Sequence, residues 1–444
     1  MRKELRILIS EKENMFLYYD GRYVPMSERE LTAIIKLGYL PADYRTPYHW
    51  QTILQEFKSN PPNVDELKFD ADENRINFTN GILNLKTGEL EEHTPDYLST
   101  RQVPCEYKPD LTFDDAPVFK KYIDTLVNGD EETKRFLLEY IGATLSNVPG
   151  WRFKRCIILV GEGDTGKTKI RELVMALVGD ANNIAIDVAQ LQARFGVAQL
   201  YQKRLAGSGD MSFVHLDELN IIKSLTGGDS IFAEFKGKDG FSFRYDGFLW
   251  FNANRLPYFR GDRGDHVYNR FMIVRCPNII PKAQQDGLLP EKLLAEREAI
   301  VSAAISYLRD AIARGYVFTE SRAMYLEREQ YVIENNSLLS FVKACCVFGE
   351  DMSGENWEFC GSKGMKQRKT RRSDFHKVYK KWCQLNNINP ERLKDIPDQM
   401  KKHFGLELYK TGGAYVYDLV ITVNALDELM SDDMYFDQSW RLKQ

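Results

Sequence analysis

The chain has 444 residues, a length that predicts two to four domains at roughly 150 residues each. Hydrophobic residues make up 43% and charged residues 28%, as in ordinary globular proteins, and no apolar run approaches the roughly 18 residues of a membrane helix. The net charge of −4 neither favours nor excludes nucleic acid, and seven scattered cysteines without a Cys-x-x-Cys pair indicate a reduced, cytoplasmic protein without structural zinc.

Residues 1–110 have the pattern of a mixed α/β region. An Asp20-Gly21 turn and an Asn80-Gly81 turn each separate two short apolar segments, which predicts two β-hairpins. Residues 111–149 follow as a helical collar or linker, because apolar residues recur at helical spacing on both sides of Asn128-Gly129-Asp130.

Residues 150–320 predict an α/β core, in which short apolar strands such as Cys156–Val160 alternate with helices or hairpins. Residues 291–313 read as one long amphipathic helix or a pair. Residues 321–444 differ in composition, with short predicted helices around Phe375 and Met400 before a hairpin that turns at Gly412-Gly413. Helices followed by a glycine-turned hairpin are typical of a winged-helix domain.

A complete phosphate-binding motif follows Val160. It matches G-x-x-x-x-G-K-[ST] at every position, and its residues are Gly161, Glu162, Gly163, Asp164, Thr165, Gly166, Lys167 and Thr168. Glycines let backbone N–H groups point at a triphosphate, and the helix predicted from about Lys167 adds its amino-terminal dipole. Lys167 can reach the β- and γ-phosphates and Thr168 can hold Mg²⁺, so the motif predicts ATP and Mg²⁺.

ATP hydrolysis also needs an acid near Mg²⁺, and the residues alone leave two candidates open. Asp210 follows a segment weakened by Gly207 and Gly209, whereas the pair Asp217-Glu218 ends a more apolar run. Both are acids at the end of a predicted element, and the pattern does not decide between them.

The attacking water and the transition state need a polar group and a cation. The apolar run Phe248–Phe251 leads into Asn252-Ala253-Asn254, and an asparagine at the tip of a core strand can orient water. Arg270 precedes another predicted strand, where it could pair with an acid of its own subunit or reach the γ-phosphate of a neighbouring subunit.

Two basic segments are candidates for DNA contact. Residues 232–245 predict a hairpin with Lys236 and Lys238 near its tip. Residues 363–381 carry nine lysines and arginines against Asp374 alone, next to the predicted winged helix. The candidate phosphate contacts in this second segment are Arg371, Arg372, Lys377 and Lys380.

Taken in order, these segments resemble the superfamily 3 helicases of the AAA+ class, and within them the phage and plasmid primase-helicase group. The chain is similar in particular to the replication helicases of staphylococcal cassette chromosomes and pathogenicity islands. The segments that carry the resemblance are Asn80–Leu90, Ile222–Asp229, Asn254–Pro257 and Asn269–Phe271. It implies an α/β fold, with an AAA+ core between an α/β N-terminal domain and a C-terminal winged helix.

The resemblance also implies roles for single residues. Asp210 would be the Walker B acid with Glu218 as the fallback, because the family's acid lies well before the Leu225–Asp229 segment. Asn254 would be sensor 1, Arg270 a finger acting in trans, and Lys223 a residue near the nucleotide. The hairpin with Lys236 and Lys238 would enter the channel of a ring and grip DNA. Many relatives carry Arg before the finger, where this chain has Asn269.

The implied function is an ATP-dependent replicative DNA helicase of a mobile genetic element. We expect a homo-oligomeric ring, a hexamer moving 3′ to 5′, that binds single- and double-stranded DNA, an origin included. A primase or polymerase would be a separate partner, because the chain before Gly161 is too short for a primer-polymerase domain beside the N-terminal one. The alternatives are an ATP-driven DNA switch or loader, and a small-molecule P-loop kinase. The hairpin lysines favour the helicase, and Arg270 speaks against the kinase.

Overall fold

The computed structural model describes residues 6–11, 13–59, 63–210, 220–257, 265–349, 359–360, 369–386 and 388–422. The chain divides into two compact units, Met1–Glu327 and Arg328–Gln444. Across the described ranges, no helix is long and apolar enough to cross a membrane.

The first unit begins with two small antiparallel sheets and two helices. Their order along the chain is β1 (Ile7–Ile9), β2 (Met15–Tyr19), β3 (Arg22–Met26), α1 (Glu28–Ile34), α2 (Pro47–Lys58), β4 (Arg75–Phe78), β5 (Gly81–Asn84) and β6 (Leu90–Glu91). Tyr19 pairs with Arg22 across one turn and Phe78 with Gly81 across the other, so both predicted hairpins are confirmed.

Helices α3 (Pro117–Leu126), α4 (Glu131–Leu145) and the short α5 (Gly150–Phe153) follow. The predicted break falls between α3 and α4, where the Asp130 side chain accepts a 3.1 Å hydrogen bond from the amide of Thr133. This bond satisfies one of the free N–H groups at the start of α4 and so fixes where the helix begins.

The rest of the first unit alternates strands and helices. In chain order the elements are β7 (Cys156–Val160), α6 (Lys167–Val178), β8 (Asn183–Ala185), α7 (Val188–Gln192), β9 (Leu205–Gly207), α8 (Asn220–Gly227), β10 (Ser230–Ala233), β11 (Phe241–Arg244), β12 (Phe248–Ala253), α9 (Asp265–Tyr268), β13 (Phe271–Arg275), α10 (Leu289–Ala295) and α11 (Arg297–Ala313). The expected long helix is a pair, α10 and α11.

Five of these strands form one parallel sheet in the order β13-β7-β12-β9-β8. All five residues of β7 and all six of β12 are buried, which explains their uninterrupted apolar sequences. The α/β core is therefore confirmed. Because β12 lies between β7 and β9, the carboxyl ends of these three strands meet at one edge of the sheet.

One apolar core joins the sheet to the helices and the second antiparallel sheet. Tyr140 of α4 is fully buried, and its hydroxyl donates a 2.7 Å hydrogen bond to the carbonyl of Leu249 in β12. The same hydrophobic cluster contains residues of β4, α3, α6 and α11. The helices predicted for residues 111–149 thus form part of the support for the central strands.

The boundary between the two units falls within α12 (Arg322–Asn335), and the residues of this helix from Arg328 onward belong to the second unit. Its elements are α13 (Ser337–Cys345), β14 (Cys346–Phe348), β15 (Phe359–Cys360), β16 (Thr370–Arg371), α14 (Arg372–Leu385), α15 (Ile396–Phe404), β17 (Tyr409–Thr411), β18 (Ala414–Tyr417) and β19 (Leu419–Thr422). The helices predicted around Phe375 and Met400 and the hairpin turning at Gly412-Gly413 are confirmed as α14, α15 and β17–β18.

Candidate nucleotide site

The phosphate-binding motif forms a loop between the end of β7 and the start of α6. The amide of Gly161 donates to the carbonyl of Ala253 at 3.2 Å, which joins the loop to the neighbouring strand β12. A Cβ atom on Gly161 would lie 2.3 Å from the carbonyl oxygen of Cys276, so no larger residue fits there. Gly166 has φ +93° immediately before α6, a conformation that glycine adopts without strain.

Lys167 lies folded over this loop and is buried. Its ammonium donates to the carbonyls of Gly161 at 2.6 Å and Glu162 at 2.7 Å, and to the Thr165 hydroxyl at 3.1 Å. Burial lowers the pKa of Lys167, and the charges of Cys276, Glu162 and Asp210 act to raise it. Lys167 is thus held at the centre of the loop by neutral acceptors that anionic phosphate oxygens could replace.

The remaining loop positions leave space for a ligand. A Cβ atom on Gly163 would meet nothing within 4 Å, and Glu162, Asp164 and Thr168 are exposed. Thr168 stands in the first turn of α6, where free backbone N–H groups and the helix dipole favour an anion. The residues present therefore fit a nucleotide phosphate chain with Mg²⁺ at Thr168.

Three contacts that the sequence did not suggest hold the loop from outside. The Tyr122 hydroxyl of α3 donates to the Gly166 carbonyl at 2.7 Å. The amide of Ile280 donates to the Asp164 carbonyl at 2.9 Å. The buried side-chain amide of Asn252 in β12 donates to the Lys167 carbonyl at 2.9 Å and fixes the start of α6.

Asp210 lies three residues beyond β9, is exposed, and acts electrostatically on Lys167. Strand β9 ends at Gly207, so the two glycines that weakened the predicted strand mark its end. The competing pair Asp217-Glu218 lies outside the described residues. Lys223 lies in α8 and is half-buried.

Arg171 of α6, which the sequence did not single out, is buried against the end of β9. Arg171 donates to the Gly207 carbonyl at 2.6 Å and to the Met175 sulfur at 3.0 Å. Its Nε and the hydroxyl of nearby Ser208 have no hydrogen-bond partner within the described part of the chain. Burial lowers the pKa of Arg171. This arginine links the nucleotide helix to the segment that leads to Asp210.

Asn254 and Arg270 occupy different edges of the sheet. Asn254 is exposed directly after β12, at the edge where β7 gives way to the loop. Arg270 precedes β13, whose first residue pairs with the first residue of β7, and its carbonyl accepts from the Cys156 amide at 2.7 Å. At ~3.3 Å per residue, the five residues of β7 put Arg270 about 16 Å from its own phosphate loop.

The Arg270 guanidinium is half-buried and donates to the Thr226 carbonyl of α8 at 3.4 Å. It lies beside the base of the β10–β11 hairpin, which is confirmed in antiparallel register from Ser230↔Arg244 to Ala233↔Phe241. Lys236 and Lys238 are exposed in the turn of this hairpin. The hairpin lysines are therefore accessible to a ligand.

In the second unit, the basic residues follow a short strand into a helix. Arg371 ends β16, Arg372 begins α14, and Lys377 and Lys380 are exposed on α14. Arg372 and Lys380 also act on His376, whose pKa is lowered to about 4 by burial first and by these two charges second. A positive surface thus accompanies α14.

Two family models match parts of the first unit. The model described as "D5 N terminal like" matches residues 42–128, and a family of unknown function matches residues 159–270, which include the phosphate loop and Arg270. Two viral proteins are also similar to this chain.

The first viral relative is "Putative helicase 184R" of Invertebrate iridescent virus 6, 27% identical over 249 residues, covering 52% of this chain and 25% of that protein. The second is "Putative helicase L207/L206" of Acanthamoeba polyphaga mimivirus, 24% identical over 279 residues, covering 56% and 28%. The chain thus spans about a quarter of the length of these viral proteins.

Among solved structures, the A form apo structure of the NrS-1 C terminal region is similar to this chain. The TM-score is 0.47 and the identity 12%, with 94% of this chain and 97% of that one covered.

Proposed function

We propose that the chain is an ATP-hydrolysing DNA helicase of the AAA+ superfamily 3 type that works as a ring, and that it replicates a mobile genetic element. One observation carries the proposal. A complete phosphate loop with a buried Lys167 stands at the same sheet edge as Asp210 and Asn254, while Arg270 stands at the opposite edge.

Nucleotide binding would use the loop amides, Lys167 and Thr168. The Lys167 ammonium would exchange its contacts with the Gly161 and Glu162 carbonyls for oxygens of the β- and γ-phosphates. Mg²⁺, when bound, would neutralise charge between these phosphates. The Thr168 hydroxyl and the Asp210 carboxylate would hold that ion, since both are exposed and Asp210 acts electrostatically on Lys167.

Hydrolysis would require Asn254 to orient the attacking water. The order of the sheet supports this role, because β12 lies between the strand that ends in the phosphate loop and the strand that leads to Asp210. An exposed amide at the end of β12 would therefore lie between the γ-phosphate and the acid.

Arg270 would complete the site of a neighbouring subunit. At about 16 Å from its own loop it cannot reach its own γ-phosphate, since an extended arginine side chain covers less than half of that distance. In a closed ring with head-to-tail interfaces, the edge that carries Arg270 can face the next subunit's nucleotide. ATP hydrolysis would then require contact between neighbouring subunits, and a closed ring would provide that contact for every subunit.

DNA would contact both units. The exposed Lys236 and Lys238 would neutralise backbone phosphates in the ring channel, with 3′ to 5′ movement implied by the family resemblance. In the second unit, the basic surface of α14 followed by the β17–β18 hairpin supports a winged helix that binds duplex or origin DNA. The residues that would contact phosphates there are Arg371, Arg372, Lys377 and Lys380. A separate primase or polymerase would be the partner.

The test measures ATP hydrolysis with and without single-stranded DNA for the wild type, Lys167→Ala and Arg270→Ala. We expect stimulation by DNA and loss of hydrolysis in both variants. A mixture of the two variants should regain activity, since on the order of a quarter of the interfaces in a random ring pair an intact Lys167 with an intact Arg270. Arg322→Ala, an exposed arginine on α12, is the matched control.

Retained activity in Arg270→Ala, together with indifference to DNA, would overturn the ring helicase. Stimulation by DNA without strand separation would instead favour an ATP-driven switch or loader. Strand separation is measured with a forked duplex that carries a fluorophore and a quencher.

A further inference from the structure

The two faces of the β10–β11 hairpin differ in what they contact. Phe241 and Phe243 are half-buried and pack against Tyr201, with ring centroids 5.0 and 5.6 Å apart. Their cross-strand partners Ile231 and Ala233 lie on the same side. This side therefore attaches the hairpin to the body of the unit.

The opposite face presents an aromatic ring to solvent. Phe232 pairs with Ser242 across the hairpin and is 67% exposed. Its ring lies over Gly240, where a Cβ atom would come within 2.2 Å of the ring. The absence of a side chain at Gly240 leaves the ring room to rest on the backbone.

A second ring is exposed at the turn. Phe235 is 38% exposed and stacks on Phe241 at 5.5 Å with an interplanar angle of 20°. The stack holds the orientation of Phe235 and leaves part of its surface open. Because Phe241 packs against Tyr201, Phe235 lies on the attached side of the hairpin, and Phe232 is the ring that the opposite face presents to solvent.

Charge around these rings suits a polyanion. Lys236 and Lys238 are both exposed, and the Lys238 ammonium lies 5.9 Å from the centre of the Phe235 ring. Of the two acids in the segment, Glu234 forms an ion pair with Arg194, whereas Asp239 is exposed in the turn. Aromatic faces beside lysines are what a single nucleic acid strand needs, because its bases stack on the rings while its phosphates meet the ammonium groups.

We propose that the exposed ring of Phe232 is a stacking platform for an unpaired nucleobase, with Lys236 and Lys238 on the adjoining phosphates. The proposal rests on the DNA-translocating function above and adds the part of the strand that the hairpin recognises. A duplex keeps its base faces stacked inside, so the platform selects single strands over duplex. Every base has such a face, so the platform has little sequence preference.

The experiment measures the affinity of the full chain for two oligonucleotides of equal length and phosphate number, oligo-dT and an abasic strand. Wild type should bind oligo-dT more tightly. Phe232→Ala should weaken binding of oligo-dT about ten-fold and leave the abasic strand unchanged, which removes the discrimination. Phe232→Trp should restore it. The double variant Lys236→Ala/Lys238→Ala should weaken both strands by the same factor.

Tyr19→Ala is the matched control, because Tyr19 is 68% exposed at the turn of another hairpin. Equal loss for both strands in Phe232→Ala, or no loss, would overturn the platform. An altered assembly size in sedimentation with unchanged DNA binding would overturn it too, and would assign Phe232 to a contact between copies of the chain. If wild type bound neither strand, both the proposed helicase function and the platform would be wrong. If wild type bound both strands equally well, only the platform would be wrong.

Discussion

The buried side-chain amide of Asn252 donates a 2.9 Å hydrogen bond to the backbone carbonyl of Lys167, and its oxygen accepts one from the Trp250 indole at 3.1 Å. Asn252 therefore connects the strand beside the phosphate loop to the first residue of the nucleotide helix. Asn254, two residues later, is exposed at the same sheet edge. The two asparagines of one motif thus occupy different environments. We expect Asn252 to act in stability and Asn254 in hydrolysis.

We expect Asn252→Ala to lower the free energy of unfolding by about 1–3 kcal/mol, because the buried indole N–H loses its acceptor. Asn254→Ala should leave stability unchanged and lower kcat for ATP hydrolysis with little change in nucleotide affinity. Denaturant unfolding and steady-state kinetics on both variants check this. A wild-type kcat in Asn254→Ala would show that Asn254 has no role in hydrolysis.

Two glycines of the loop make a second matched pair. A methyl group at Gly161 would collide with the Cys276 carbonyl at 2.3 Å, whereas one at Gly163 would enter open space. We therefore expect Gly161→Ala to destabilise the fold by roughly 1–3 kcal/mol. Gly163→Ala should fold normally and bind a fluorescent ATP analogue more weakly, because the methyl occupies space for phosphate. Unaltered nucleotide binding by a folded Gly163→Ala would contradict this use of the loop.

Local signals made parts of this structure predictable. The motif from Gly161 to Thr168 and the turns at Asp20-Gly21 and Asn80-Gly81 are short-range patterns, and each element they predict is present. The buried strands were also recognisable, because a strand covered on both faces is apolar throughout.

Contacts between distant parts of the chain left no such pattern. Tyr122 reaches Gly166 over 44 residues, and nothing in the helical spacing around Tyr122 distinguishes it from its apolar neighbours. Arg171 reads as an ordinary polar position of an amphipathic helix until the close approach of β9 buries it. Asn252 and Asn254 both follow an apolar run, and only the extension of β12 to Ala253 separates the buried side chain from the exposed one.

Arg171 offers a test of the connection between the nucleotide helix and Asp210. The Gly207 carbonyl accepts hydrogen bonds from both Arg171 and the Ile186 amide, the latter at 2.9 Å. In Arg171→Met this carbonyl therefore keeps one hydrogen bond. The substitution also removes a buried charge, and we expect a change in unfolding free energy within about 1 kcal/mol. The Mg²⁺ concentration for half-maximal hydrolysis should rise several-fold, because the segment before Asp210 loses its anchor. An unchanged Mg²⁺ dependence would contradict this role.

An ion pair links the base of the hairpin to the N-terminal region. Arg101 donates to Asp246 at 3.1 Å. Burial acts to raise the pKa of Asp246, but Arg101 and Arg204 outweigh it and the pKa is lowered. The stabilisation is thus present above the ordinary aspartate pKa near 4 and is lost as pH falls through the lower folded value. Asp246→Asn should cost about 1–3 kcal/mol at neutral pH, a moderate range because 36% of the Asp246 side chain is exposed.

The difference in unfolding free energy between wild type and Asp246→Asn, followed from pH 7 to pH 2, checks both the size and the sign. It should shrink below about pH 4 as the wild-type carboxylate is protonated. Glu73→Gln, which breaks the partly exposed pair with Arg152, is the control and should cost less than about 1 kcal/mol. A difference that grows in acid would contradict the assignment.

In the second unit His376 also predicts a loss of stability in acid, but here the pKa is lowered because burial disfavours the charged form of the side chain. Its pKa is lowered to about 4 from 6.5 by burial and by the charges of Arg372 and Lys380, so the folded state keeps the ring neutral where the unfolded chain protonates it. The corresponding stability is present above pH 6.5 and is lost as pH falls toward 4. His376→Asn should remove this dependence, so wild type should lose about 1–2 kcal/mol more than the variant between pH 7 and pH 4.5. Hydrogen exchange of the α14 amides measures the loss where it arises, and parallel pH profiles for the two proteins would show that the His376 ring is protonated equally in both states.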